Sequence, residues 1–151
     1  MASEPTRTPA QDQFVELSHG TDLSRLVVIG IGSSAGGLDP IQDLVNSLPA
    51  DFGAAVIVAQ HLSPHYESRL PQIIAHNAKI RVATVKHGVT LEAGCVYVTP
   101  PNKNVEIEDG AFVTSQAARG PYPKPSIDLL FSSMGRAYAE NAVGVVLSGT
   151  G

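Results

Sequence analysis

Leu26-Val27-Val28-Ile29-Gly30-Ile31 runs directly into Gly32-Ser33-Ser34-Ala35-Gly36-Gly37, and Asp39-Pro40 then leads into Ile41, Leu44, Val45 and Leu48 at helical spacing. The first run is apolar at every position, as a strand buried on both faces requires. The glycine-rich stretch reads as a sharp turn. Asp39 reads as a cap and Pro40 as the first helical residue, where its missing N–H costs nothing. The order is therefore strand, turn, amphipathic helix.

The pattern recurs along the chain. Ala54 to Ala59 reads as a second buried strand, and Leu70, Ile73 and Ile74 mark one face of a second helix with Pro71 in its first turn. Ile80 to Val85 and Cys95 to Thr99 read as further strands, the latter ending at Pro100-Pro101. Val105 to Glu108 and Ala111 to Thr114 flank Asp109-Gly110, a pair suited to a tight hairpin turn with positive φ. Pro121 to Pro125 reads as a stiff connector. Ser126 then caps a helix reaching about Tyr138, with Asp128 favourably placed in its first turn, and Ala142 to Leu147 reads as a last strand buried on both faces. These alternations predict an α/β fold: a doubly wound, mostly parallel sheet with helices on both faces and a small β-hairpin insertion.

Upstream, residues 1–25 carry two Arg, four Asp+Glu and no apolar period, which predicts a disordered polar leader, leaving 26–151 as the folded unit. The 151 residues hold ten Lys+Arg against 14 Asp+Glu, a net charge of -4, which argues against a nucleic-acid or anionic-lipid partner. No apolar stretch approaches the roughly 20 residues of a spanning helix, and the N-terminus lacks the form of a secretory signal. A cytoplasmic protein without membrane insertion is expected. A single cysteine, Cys95, excludes an internal disulfide and sits in an apolar run that reads as core.

In parallel sheets, ligands bind beyond the carboxyl ends of the strands. There Gly32-Ser33-Ser34-Ala35-Gly36 satisfies G-x-S-x-G, which lifts the Ser34 hydroxyl out of the sheet and turns the N–H groups of Ala35 and its successors toward a developing oxyanion. The distance from Ser34 to the Asp39-Pro40 start signal predicts a looser turn than a standard elbow. The same residues also fit Gly30-x-Gly32-x-x-Ala35, a dinucleotide fingerprint, but the second strand ends in Gln60-His61 rather than an acid, which weighs against that reading. His61 brings a general base to the same sheet edge, and adjacent strand ends lie about 5 Å apart, within reach of a serine that needs its proton removed. The plainer alternative is a phosphate-binding or close-packing turn beside a helix-flanking histidine. His61 and His65 form an i, i+4 pair, but Pro64 interrupts it and no third ligand is suitably spaced, so neither a metal nor any other cofactor is expected. His19, His76 and His87 read as solvated.

The stretches VVIGIGSSAGGLDPI, VIVAQHLSPHYESRL, GCVYVTPPNKNVEI, KPSIDLLFSSMG and NAVGVVLSGTG, in that order, resemble the chemotaxis receptor methylesterase (CheB-type) catalytic domain over about residues 26–151. The resemblance implies a serine hydrolase that removes methyl esters from receptor glutamates, and in some members deamidates glutamines. It makes Ser34 the nucleophile and His61 the base, with Ser33, Ala35 and Thr150 matching positions that line the site. The implied partners are the cytoplasmic domains of methyl-accepting chemotaxis receptors, with methyltransferase or response-regulator partners in cis or trans. Against this stands a non-catalytic receptor-binding module, and more weakly a dinucleotide-binding domain.

The sequence departs from the family pattern in three ways. Members carry a triad aspartate in a turn just after the final L-[ST]-G-x-G stretch, and this sequence stops at Gly151. The expectation is a domain incomplete at its C-terminus, poorly soluble and nearly inactive alone, with apolar surface left on its last strand. A polar leader stands where a receiver domain is common, as in methylesterase–methyltransferase fusions or stand-alone esterases. Lys103-Asn104 replaces a basic residue followed by histidine.

Overall fold

The computed structural model describes residues 25–34, 36–61, 69–117 and 125–147. Its centre is a sheet of five strands, β1 (Val27–Ser33), β2 (Ala54–Gln60), β3 (Arg81–Thr84), β4 (Cys95–Val98) and β7 (Ala142–Leu147), in the order β3-β4-β2-β1-β7. Every pairing in it is parallel. The expected leader lies almost wholly outside the described residues, as does most of the Pro121 to Pro125 connector.

Buried side chains divide into two clusters, one on each face of the sheet. One contains Ile31, Ile41, Val45, Val56, Val58, Leu70 and Ile74, and belongs to helices α1 (Leu38–Ser47) and α2 (Leu70–Ala75). The other contains Val28, Ala55, Ile57, Tyr97, Leu130, Met134 and Phe112. On this second face helix α3 (Ile127–Tyr138) shares the work with a hairpin, β5 (Lys103–Glu108) and β6 (Ala111–Gln116). The hairpin is therefore a wall of the core rather than a peripheral insertion. Phe112 reaches Tyr97 edge-on at 4.9 Å between ring centroids. The buried Ser133 hydroxyl accepts from Ile107 N at 3.0 Å and donates to Leu130 O at 2.8 Å, so it fastens α3 to β5 with its own hydrogen bonds made. Asp109 (φ 49) and Gly110 (φ 75) supply the turn expected of that pair.

Helix α3 crosses β1 closely because β1 offers glycine where it passes. A Cβ on Gly30 would lie 2.6 Å from Met134 Sδ, and one on Gly32 would lie 2.7 Å from Ile127 Cγ2. The predicted cap on α3 forms, since the Ser126 side chain accepts from Leu129 N, and Asp128 lies in the first turn. Pro71 falls in the first turn of α2 as expected.

Two expectations change. Helix α1 begins at Leu38 with Gly37 as its N-cap, so Asp39 lies in the first turn and Pro40 is its third residue. Proline is tolerated there because the first four helical N–H groups have no intrahelical partner. The apolar run Ala142 to Leu147 predicts burial on both faces, yet β7 is the sheet edge, with Val143 44% and Val146 73% exposed. Nothing among the described residues covers these two side chains. Among those residues no helix is long and apolar enough to cross a membrane.

Cys95 is fully buried, and burial pushes its thiol pKa up, which fits a core role. Burial also pushes the Tyr97 hydroxyl up to about 12, although it accepts a hydrogen bond from Glu92 N at 3.0 Å. Burial raises Tyr138 as well.

Two outcomes follow from this packing. Gly32→Ala should lower stability by about 1–3 kcal/mol in urea unfolding, because the stiff β-branched Ile127 must move, and an unchanged midpoint would contradict the close crossing. A tyrosine whose folded pKa lies above its unfolded value contributes stability below pH 10 that is lost as pH rises toward 12. Unfolding free energy should therefore fall across that window, and Tyr97→Phe should flatten the fall.

Candidate active site

The site is built where β1 and β2 end. Their register pairs Val27 with Ala54 through Ser33 with Gln60, so the two strands finish level. One further hydrogen bond, His61 N to Ser33 O at 2.9 Å, carries the pairing a residue beyond the strands. Ser34 and His61 are thus the first residues to leave two neighbouring strand ends, about 4.8 Å apart in such a sheet, and both are half-buried. The sheet order also matters. From β1 the chain passes to β2 on one side by way of α1, whereas β7 lies on the other side and is reached by way of α3 on the opposite face. Ser34 therefore sits at the point where the winding reverses, which is where open α/β sheets bind ligands.

The turn after Ser34 is tighter than its sequence predicts. Gly37 N donates to Ser34 O at 3.0 Å, and Gly37 O accepts from Ile41 N at 3.1 Å as helix α1 begins. Gly37 is required here because a Cβ at that position would coincide with Ser33 Oγ. Gly37 N–H is engaged within the turn.

Ser33 is only 1% exposed, and its hydroxyl donates to Ser34 O at 3.0 Å. It holds the turn in shape. Ala35 and Thr150 lie outside the described residues, as do His19 and His65. His76 and His87 are exposed, but His87 also has a structural task, accepting from Thr114 N through Nδ1 at 3.1 Å. Asp128 stays on the exposed side of α3's first turn.

Two polar residues near the strand ends take structural places that the sequence does not assign to them. Gln60 is 3% exposed, and its Oε1 has no hydrogen-bond partner among the described residues. Asn104 Oδ1 accepts from Ser126 N at 3.0 Å and so ties the start of β5 to the cap of α3. A polar residue closing an otherwise apolar strand is the available signal for Gln60. Asn104 is marked in the sequence only as a departure from the family pattern, and its bond cannot be read there because its partner is 22 residues away.

The family model described as CheB methylesterase matches residues 29–151 of the chain. A relative from Leptospira interrogans is 32% identical over 122 residues, which is 80% of this chain and 63% of that protein. A Bacillus subtilis relative, named protein-glutamate methylesterase/protein-glutamine glutaminase, is 33% identical over 128 residues, covering 82% of this chain and 36% of its own length. This chain thus spans less than two thirds of the length of either. The Thermotoga maritima CheB methylesterase catalytic domain aligns with a TM-score of 0.74 over 83% of this chain and 69% of that one, at 23% identity, and shares the fold.

The turn geometry has a direct test. Gly37→Ala should displace Ser33 and open the Ser34 turn, cutting the rate at which an electrophilic phosphonate labels Ser34 by about tenfold or more. Labelling at the unsubstituted rate in a folded variant would show that the turn tolerates the side chain.

Proposed function

The chain belongs to the CheB methylesterase family, and on that premise we propose that it is a serine hydrolase acting on methyl esters of glutamate side chains in chemotaxis receptors. The observation that carries the reading is the level ending of β1 and β2, with Ser34 and His61 one residue beyond the Ser33–Gln60 pair. A serine hydroxyl is a weak nucleophile until a base accepts its proton, and the imidazole is the side chain suited to that task near neutral pH.

In the proposed reaction Ser34 Oγ attacks the ester carbonyl while His61 takes the hydroxyl proton. The carbonyl oxygen becomes an oxyanion facing the N–H groups of Ala35 and Gly36. The tetrahedral species collapses as the C–O bond to methoxide breaks, and the imidazolium protonates methoxide to methanol. Water then attacks the acyl-serine, gives its proton to His61, and releases the glutamate carboxylate as Ser34 recovers its hydrogen. With a primary amide the same steps release ammonia, which is how glutamine would become glutamate. Ser33 and Thr150 are read as site-lining, Ser33 through the shape of the turn. The partners are the cytoplasmic, methyl-accepting segments of receptors, which makes the setting cytoplasmic.

The experiment is labelling with a fluorophosphonate, followed by intact mass and peptide mapping. The adduct should fall on Ser34, vanish in Ser34→Ala, and form about 10²–10⁴-fold more slowly in His61→Gln. A folded chain that takes no label would contradict the hydrolase reading and favour a non-catalytic receptor-binding module. Thermal stabilisation by a dinucleotide would favour the nucleotide reading instead.

A further inference from the structure

We propose that Asn104 is a positioning residue for Ser34, acting through the first turn of α3. The inference rests on reading Ser34 as the nucleophile. Asn104 is the second residue of β5 and half-buried, and its side-chain oxygen accepts from Ser126 N at 3.0 Å. Ser126 is the residue from which α3 departs. Its hydroxyl accepts from Leu129 N at 3.2 Å and its carbonyl from Leu130 N at 3.3 Å. These two bonds bind Ser126 to its own helix, whereas the bond to Asn104 binds it to the rest of the molecule.

The next residue, Ile127, carries the contact to β1. Its Cγ2 would stand 2.7 Å from a Cβ on Gly32, closer than packed carbons allow, so the isoleucine lies directly against the bare backbone of that glycine. Gly32 pairs with Ala59 on one side and Val146 on the other, and it is followed by Ser33 and Ser34. A short path of bonded or packed groups thus runs from Asn104 through Ser126, Ile127 and Gly32 to the turn that presents Ser34.

The path should transmit displacement. Without Asn104 the Ser126 N–H loses its acceptor in a half-buried place, and the helix start must move toward water to recover one. Ile127 is β-branched and stiff at χ1, so it passes that movement on to Gly32 instead of absorbing it by rotating. Nucleophilic attack is sensitive to displacements of about 1 Å. The requirement at position 104 is an acceptor oxygen, and aspartate meets it with a charge that also suits a helix N-terminus. This gives the Lys103-Asn104 departure from the family pattern a physical role.

The test measures fluorophosphonate labelling of the full chain at a temperature where every variant is folded by circular dichroism. Asn104→Ala should slow labelling about tenfold through the maximal rate, leaving the half-saturating reagent concentration unchanged. Asn104→Asp should restore the rate to within about twofold of the unsubstituted chain. Should Asn104→Ala fail to fold, Ile127→Val, which thins the contact with Gly32 and keeps the Asn104–Ser126 bond, should still slow the maximal rate. Ser34-dependent labelling that is equally fast in Asn104→Ala and Ile127→Val would overturn the inference alone, as would Asn104→Asp slowed as much as Asn104→Ala. No labelling of Ser34 in the unsubstituted chain would remove the hydrolase reading, and this inference with it.

Discussion

The parallel pairing of β1 with β2 is the constraint on which the rest depends. Seven residue pairs in unbroken register, extended by the His61 N to Ser33 O hydrogen bond, fix where both strands end. Both strands are rich in apolar residues, so burial on two faces holds the register. The polar residues begin only at Ser33 and Gln60, and these are still buried. Ser34 and His61, the proposed catalytic pair, are the first residues to emerge from that core. A parallel sheet turns two distant stretches of sequence into neighbours at one edge, with precision set by backbone hydrogen bonds.

Glycine is what lets the two layers close around that edge. On one face α3 approaches β1 until Met134 and Ile127 occupy the space that side chains at Gly30 and Gly32 would need. On the other face Gly37, the N-cap of α1, lies over the Ser33 hydroxyl. The end of β1 is therefore packed from one face at Gly30 and Gly32 and from the other through Gly37. Catalytic geometry held by packed elements is more precise than geometry held by a free loop. The hairpin extends this packing, since β5 joins α3 through Ser133 and Asn104.

Much of this is legible in the sequence because it rests on local pattern. Continuous β-branched runs mark the strands, the Ser126 cap marks α3, and Asp109-Gly110 marks the hairpin turn. Where the structure departs, the cause is non-local or permissive. Pro40 is allowed at any position of the first helical turn, so it cannot fix the start of α1. The apolar residues of Ala142 to Leu147 record what the strand prefers to touch, whereas its exposure depends on what lies beyond the sheet edge. At the site, Ser34 and His61 are legible from their places after two strands. Gln60 and Asn104 are not, because burial and a bond across 22 residues exist only once the layers have come together.

The central claim is that Ser34 and His61 act as one unit, and nitrogen NMR of the imidazoles tests it most directly. A phosphonate bound to Ser34 and aged to its monoanion puts a negative charge beside whichever histidine is in reach, raising that imidazole's pKa. Among the five histidines of the chain, His61 should show the largest rise when the labelled and unlabelled proteins are titrated. A His61 titration that is the same with and without the adduct would contradict the account.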